Sequence, residues 1–244
     1  DLINSWISKK THGRITEVID KSSIDGNTIF MLINTIYFKS EWKEKFDTAL
    51  TSKENFFVNP QKTIIVPMMH KTEKHLFYIN EDMQFSALIK RYNHSGLIGV
   101  FMLPDKASDL QKFLKHFTIK QLKQSIKLAQ EVEVDVILPK FKLQQRFSVK
   151  EILLKMGVAE IFNRNCDLSN ISDMRIYISD VIHSAKVEID EDGVVASAVT
   201  VVIGNVMCFE PPRNEFIANR PFLFIIYDTE NEFPIFVNAI INPE

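Results

Sequence analysis

The sequence predicts an α+β fold, because long apolar segments with strand character are mixed with amphipathic helical segments. The run from Ile29 to Phe38 is rich in isoleucine and phenylalanine, and its length and β-branching predict a strand buried on both faces. The stretch from Asp109 to Leu128 is predicted to be helical, as one helix or as two that break near Thr118. Near the end, residues 222–227 and 233–241 predict a β-hairpin around a polar turn.

The other elements follow the same patterns in chain order. The first residues predict the end of a helix, because apolar side chains recur at helical spacing and Gly13 is placed to stop it. A second short helix is expected from Val149 to Met156, ending at Gly157. Strands are predicted over five further segments, which are 56–69 with a break at Asn59 and Pro60, 85–92, 97–103, 132–138 and 176–189.

Composition narrows the classes of function. The chain has 244 residues, 45% of them hydrophobic, and its net charge of -2 does not suggest a nucleic acid or an anionic membrane as partner. No apolar run reaches the roughly 18 residues that a membrane-spanning helix needs. The six histidines are not spaced as metal ligands. The chain has only seven glycines, and this low glycine content disfavours a phosphate-binding loop. We therefore expect neither cofactor nor metal, and the two cysteines do not define a compartment.

One segment is unusual in its charge. Residues 193–209 contain no charged residue and no proline, while an acidic triplet at 190–192 precedes them and Glu210 follows them. One interpretation is a further core strand. The other is an exposed loop that later becomes a central strand, since such a segment must avoid charge that would be buried. The residues alone leave both interpretations open.

Blocks of sequence typical of one family run through the whole chain. Residues 34–42 match the pattern Asn-x-x-Tyr-Phe-Lys-Gly-x-Trp, with Ser40 in the place of the glycine. Further blocks lie at residues 66–69, 138–141, 156–169, 182–187, 191–193, 219–224 and 236–243. Their number and order resemble those of the serpins, a family of serine protease inhibitors. The resemblance spans residues 1–244, although Asn238 and Ala239 replace the family's usual Gly-Lys or Gly-Arg pair.

The resemblance implies one serpin domain over residues 1–244, truncated at its N-terminal side. Its fold would be α+β, with a large mixed sheet A, further β-sheets and helices, and without the family's N-terminal helices. A protease attacks an exposed reactive-centre loop, here about residues 191–213, as a substrate. The cut loop then inserts between two strands of the main sheet, here about 28–38 and 179–189. All covalent chemistry belongs to the protease, so the chain is not expected to be an enzyme.

The resemblance also indicates the bait, which is the loop residue after which the protease would cleave. Counting along the loop from Glu191 gives Met207 as the scissile residue, followed by Cys208, with Val206 or Cys208 itself as neighbouring choices. Methionine is unbranched and apolar, which favours a chymotrypsin-like or elastase-like protease. Arg213 is the alternative bait, and it would direct the chain to a trypsin-like protease.

Other residues receive roles in the insertion of the loop. The hinge must tolerate a large change of backbone conformation and must fit a crowded sheet. Its residues are Glu191, Gly193, Val194, Ala196, Ser197, Ala198 and Thr200. Asn34 and His183 would belong to the region where the sheet opens, with an ordinary core histidine as the alternative for His183. Trp42 would belong to the neighbouring region called the breach.

Two other functions stay open. A non-inhibitory serpin, such as a carrier, a storage protein or a chaperone, differs from an inhibitor at the hinge, and the small uncharged hinge residues here favour inhibition. An unrelated α+β enzyme is the second possibility. The sequence offers it no Gly-x-Ser-x-Gly elbow, no metal motif and no phosphate loop.

The expected partner is a serine protease in a covalent complex, with neither nucleic acid nor membrane. The chain is expected to be a monomer that can form loop–sheet polymers. A basic stripe of Lys120, Lys123 and Lys127 makes a glycosaminoglycan conceivable, without further support. Residues 93–95 and 170–172 match the N-glycosylation acceptor pattern. They favour a secreted, extracellular glycoprotein, and a cytoplasmic location stays the alternative.

Overall fold

The computed structural model describes residues 2–20, 24, 28–38, 40–94, 96–106, 110–193 and 214–244. The helices in these ranges are α1 (Leu2–Lys10), α2 (Leu110–His116), α3 (Ile119–Leu128) and α4 (Lys150–Lys155). The strands are β1 (Phe30–Tyr37), β2 (Ser52–Asn59), β3 (Lys62–Asn80), β4 (Phe85–Arg91), β5 (Leu97–Pro104), β6 (Gln130–Pro139), β7 (Phe141–Ser148), β8 (Ile178–Ile189), β9 (Asn214–Ile217), β10 (Phe222–Asp228) and β11 (Phe233–Ile240). They divide between two compact units.

The first unit comprises residues 1–38 and 143–187 and is built on a three-stranded sheet in the order β1-β8-β7. β1 and β8 are parallel and pair continuously over residues 31–37 and 180–186. Side chains of β1 pack against a small apolar cluster, which consists of Ile7, Ile15, Val18 and Ile182. Several large apolar side chains of this unit are therefore exposed to solvent, and Trp6 of α1 is 61% exposed.

The second unit comprises residues 39–142 and 188–244 and contains an eight-stranded sheet. Its strands lie in the order β11-β10-β5-β4-β3-β6-β9, and β2 pairs with β3. In β10, residues 222–227 are all buried, which explains why this segment is an unbroken apolar run. Each such side chain contributes about 1.5–3 kcal/mol to folding, so this strand anchors the unit.

Helices α2 and α3 cover part of that sheet. Leu110, Phe113 and Leu122 join the apolar cluster formed by β4, β5 and β10. Between the two helices, the Thr118 hydroxyl caps the N-terminus of α3, and Gln121 completes a capping box. The predicted break near Thr118 is therefore confirmed.

Most predicted elements are confirmed, and three points are corrected. β7 and β9 were not predicted, because each buries only one side chain, Phe141 and Phe216 respectively, and so shows no alternation. β1 forms where predicted, but the prediction that it is buried on both faces is wrong. None of its residues is buried, and Leu32 is 40% exposed. β1 lies at the edge of a small sheet, so its β-branched residues form a strand without enclosing it.

Candidate functional site

The loop base, residues 190–193, is the best-defined part of the candidate site. The chain leaves β8 at Ile189 and turns, with the Gly193 amide donating to the Asp190 carbonyl at 3.1 Å. Gly193 has φ +105°, a conformation that residues with a Cβ rarely adopt. The turn therefore contains residues 191–193, the first residues of the predicted reactive-centre loop.

The clamp segment, residues 40–46, holds the loop base through backbone hydrogen bonds. The Trp42 amide donates to the Asp192 carbonyl at 2.8 Å, and the Phe46 amide donates to the Glu191 carbonyl at 2.9 Å. The Trp42 indole Nε1 donates to the Asp190 carbonyl at 3.2 Å. Three carbonyls of the loop base are therefore fixed by two residues of the clamp segment.

Glu191 adds a buried carboxylate to this arrangement. It is 6% exposed, accepts a hydrogen bond from the Thr51 hydroxyl at 2.7 Å and pairs with Lys140 Nζ at 2.7 Å. Burial by itself would raise the pKa of Glu191, but the bonds from Lys140 and Thr51 outweigh it and lower the pKa. The carboxylate is thus ionised at neutral pH and fixes the start of the loop base.

Gly193 lies too close to the clamp segment for any side chain. A Cβ there would lie 2.5 Å from the Trp42 amide nitrogen and 2.8 Å from the Ser40 carbonyl oxygen. Both are backbone atoms, which cannot move aside as a flexible side chain can. Glycine is therefore required here both by the positive φ and by the contact.

Trp42 is enclosed completely. It is 0% exposed, and its ring stacks on Tyr92 with centroids 4.4 Å apart and an angle of 11° between the planes. A Cβ on Gly99 would lie 3.0 Å from the ring, so this position of β5 also needs to be small. The tryptophan is a rigid support for the clamp segment.

A second candidate region, the seam, is the pairing of β1 with β8 in the first unit. Asn34 and His183 lie directly opposite each other in the register. Asn34 Nδ2 lies 3.1 Å from His183 Nδ1, within hydrogen-bond distance. The ring of Phe147 on β7 contacts His183 edge to face at 5.5 Å. His183 is half-buried in this cross-strand contact, rather than enclosed in a core.

Comparison with known proteins decides the family. Residues 1–243 match a family model described as Serpin (serine protease inhibitor). The chain belongs to the serpin family. The family is described as one of serine protease inhibitors and not of enzymes, in agreement with the sequence prediction that the chain is not an enzyme.

Individual relatives support the assignment. The chain is 33% identical over 244 residues to Serpin B3 of Homo sapiens, covering 99% of this chain and 63% of that protein. It is also 33% identical over 248 residues to the leukocyte elastase inhibitor of Sus scrofa, covering 99% and 65%. The structure of human thyroxine-binding globulin matches with a TM-score of 0.89 and 27% identity, covering 99% of this chain and 63% of that one. This serpin chain thus spans less than two thirds of the length of these relatives.

The bait and most of the hinge lie outside the described residues. Of the predicted reactive-centre loop at 191–213, the structure describes only residues 191–193. The predictions for Val194, Ala196, Ser197, Ala198, Thr200, Val206, Met207, Cys208 and Arg213 therefore stay predictions.

The structure adds site residues that the sequence did not reveal. Thr51 and Lys140 bind the Glu191 carboxylate, and Lys45 Nζ lies 3.1 Å from the Asp192 carboxylate. Lys140 occurs in one of the family blocks, but nothing in its neighbourhood along the chain indicates a partner that lies 51 positions away in sequence. The positions of Thr51 and Lys140 in the sequence therefore do not predict that both bind the same carboxylate.

The structure also describes residues that belong to other predicted features. In the described part of the chain, no group of three or more histidine, cysteine or acidic side chains is arranged to hold a metal, and no helix is long and apolar enough to cross a membrane. In the basic stripe on α3, Lys123 is paired with Glu232 at 2.7 Å. Asn93 and Asn170 of the two acceptor patterns are exposed.

Proposed function

We propose that this serpin is a suicide-substrate inhibitor of chymotrypsin-like or elastase-like serine proteases. The observation that carries the proposal is the chain path from the seam to the loop base. β8 pairs directly with β1, continues to Ile189 and enters the clamped turn that ends at Gly193. A cut loop that folds back from this turn would run antiparallel to β8 and therefore also to β1. The seam then offers two parallel edges to one inserting strand.

The sequence after the turn suits such a strand. Residues 194–204 are small or β-branched, and no residue from 194 to 209 carries a charge, so burial of this segment leaves no charge unpaired. A protease cleaving after Met207 would form an acyl-enzyme with the loop. Insertion of fourteen residues at roughly 3.3 Å each would move that protease by about 45 Å. The displaced protease, still joined to the loop by the acyl bond, would have its active site distorted before water could hydrolyse that bond.

Relatives supply the direction of the specificity proposal. One similar protein is named as a leukocyte elastase inhibitor, and the proposed bait, methionine, is an unbranched apolar residue. A second candidate function is that of a non-inhibitory carrier, because a structural relative is named for binding thyroxine. A trypsin-like target through Arg213 is the third.

The test is to mix the intact protein with a chymotrypsin-like, an elastase-like and a trypsin-like protease. Denaturing gels detect a covalent complex, and mass spectrometry identifies the released C-terminal peptide. A stable complex and a peptide beginning at Cys208 are expected. A peptide beginning at Asn214 would move the bait to Arg213. Cleavage near residue 207 without a complex would refute the inhibitor and favour the carrier.

The extracellular location is also a proposal, supported by the exposure of Asn93 and Asn170. Protein isolated from its source should lose mass on treatment with an N-glycosidase. Substitution of each asparagine by glutamine should remove the corresponding glycan. A mass that the glycosidase leaves unchanged would contradict a glycosylated, secreted form.

A further inference from the structure

Two lysines hold the clamp segment from the sheet beneath it. Lys71 on β3 donates from Nζ to the carbonyl of Lys45 at 2.7 Å. Lys90 on β4 donates from Nζ to the carbonyl of Glu44 at 3.1 Å. Both carbonyls lie in the clamp segment, between the two amides that hold the loop base. The Lys71 bond therefore fixes the peptide group that carries the Phe46 amide, and the Lys90 bond fixes the peptide group that precedes it.

One carboxylate joins the two lysines. Glu73 on β3 lies with Oε2 2.6 Å from Lys71 Nζ and with Oε1 3.6 Å from Lys90 Nζ. His75 Nε2 lies 3.1 Å from the same Oε1. Burial alone would raise the pKa of Glu73, but His75, Lys71 and Lys90 together lower it to about 2. Glu73 is consequently charged at neutral pH, with Oε2 in a close pair with Lys71 and Oε1 in a longer ion pair with Lys90.

The burial of Lys90 shows that this arrangement is not an ordinary surface ion pair. Lys90 is 2% exposed and follows the buried apolar residues 87–89 on β4. Its Nζ lies 4.6 Å from the ring centroid of Phe46 and 5.5 Å from that of Trp42. Burial lowers the pKa of Lys90 to about 8, although Glu73 favours the charged form. A buried lysine is unfavourable unless it is paired, so an apolar residue would be the simpler choice if packing were its only role.

We propose that Glu73 is a positioning residue for the loop base, acting through Lys71 and Lys90 on the clamp segment. Glu73 orients both ammonium groups, the ammonium groups fix two carbonyls of the clamp segment, and the clamp amides stay directed at the loop base. Loss of the carboxylate would loosen the hinge from a distance without touching residues 190–193. The effect on inhibition rests on the proposed function, whereas the structural link does not.

The direct test is hydrogen exchange of the intact protein with Glu73→Gln. The amide of Phe46, which shares a peptide group with the Lys45 carbonyl, should exchange about tenfold faster, the size expected when charge-assisted hydrogen bonds that oppose local opening are lost. Amides of Phe224 and Ile225 in β10 serve as the reference and should keep their protection. Unchanged exchange at Phe46 would overturn the proposal.

A second pair of variants guards against misfolding of Glu73→Gln, because Lys71 is only half-buried and tolerates substitution better. Lys71→Met removes the donor to the Lys45 carbonyl and should speed exchange at Phe46. Lys71→Arg keeps charge and donor and should restore slow exchange. A merely structural role would make the two variants alike, and that result would also overturn the proposal.

Lys90→Met separates positioning from global stability. Methionine fills a similar volume without charge, so the protein should fold with equal or greater resistance to urea. The clamp amides should nevertheless exchange faster, because the Glu44 carbonyl loses its donor. Clamp amides as protected as in the natural protein would refute the role of Lys90.

Inhibition assays on the same variants separate this inference from the proposed function. If the natural protein forms a covalent complex, the loosened variants should change the fraction of loop cleaved without trapping. If no variant, including the natural protein, forms a complex while the exchange results hold, the inhibitor proposal fails and the positioning role stands. If complexes form but exchange is unaffected, the positioning role fails alone.

Discussion

At the scale of single residues, Glu191 is the most testable part of the loop base. Its buried carboxylate binds Thr51 and Lys140, so Glu191→Gln removes a charge-assisted pair but keeps the shape of the side chain. We expect a loss of about 1–3 kcal/mol in the free energy of unfolding, measured by urea denaturation at neutral pH. Glu232→Gln is the matched control, because Glu232 pairs with Lys123 at the same 2.7 Å but is exposed. It should change the unfolding midpoint little.

The same variant has a predicted pH dependence. The pKa of Glu191 is lowered from its ordinary value of 4.5, so the folded protein binds this proton less readily than the unfolded chain. Its contribution to stability is therefore complete above about pH 4.5 and is lost as the pH falls through the lowered pKa. The difference between the natural protein and Glu191→Gln should shrink in that acidic window. A difference that stays constant down to about pH 3 would show that the carboxylate's charge is not responsible.

Gly193 allows steric contact to be separated from backbone strain. Gly193→Ala must accept a positive φ and also a Cβ 2.5 Å from the Trp42 amide. Gly157→Ala is the control, since Gly157 has φ +89° and a Cβ there would have no neighbouring atom within 4 Å. Strain alone should cost about 1–2 kcal/mol in the control, and Gly193→Ala should cost more. Equal unfolding free energies for the two variants would contradict the close contact.

At the scale of elements, the local patterns predict structure where burial repeats regularly. The unbroken apolar run of β10 predicts that strand, and the helix break at Thr118 agrees with a capping box. β7 and β9 show no such pattern, because their side chains are mostly exposed or half-buried. Backbone hydrogen bonds hold these strands in place, and such bonds leave no trace in the pattern of apolar residues. The burial of β1 is overestimated for the converse reason. β-branching reports strand propensity, whereas burial depends on what else packs against the strand.

The seam gives a prediction for a pair of elements. A disulfide between Asn34→Cys and His183→Cys, with Cys166 and Cys208 replaced by serine, would join β1 to β8 at directly opposed positions. If the cut loop must insert at the seam, the oxidised protein should be cleaved by its protease without forming a stable complex. Reduction should restore the complex on denaturing gels. A stable complex with the oxidised protein would show that insertion does not use this seam.

At the scale of the whole molecule, the site depends on contacts that no local pattern contains. Trp42 and Asp192, like Asn34 and His183, are about 150 positions apart in sequence and meet only through the fold. The family resemblance places Asn34, Trp42, His183 and the loop base in named regions. The contacts of Thr51, Lys140 and the lysines beneath the clamp segment could not be read from the sequence, because their partners lie in distant segments of the chain.

The same long-range organisation predicts how the whole protein would polymerise. Residues 193–209 are uncharged and free of proline, and a segment of that kind can add to the seam of a neighbouring molecule as well as to its own. We therefore expect loop–sheet polymers on mild heating, detected as a ladder on non-denaturing gels. Thr200→Arg should suppress the ladder, because insertion would then bury an unpaired charge. The disulfide across the seam should suppress it as well, and reduction should restore it. Polymers that form equally in all three proteins would indicate association through another surface, whereas a protein that stays monomeric through partial unfolding would contradict the idea altogether.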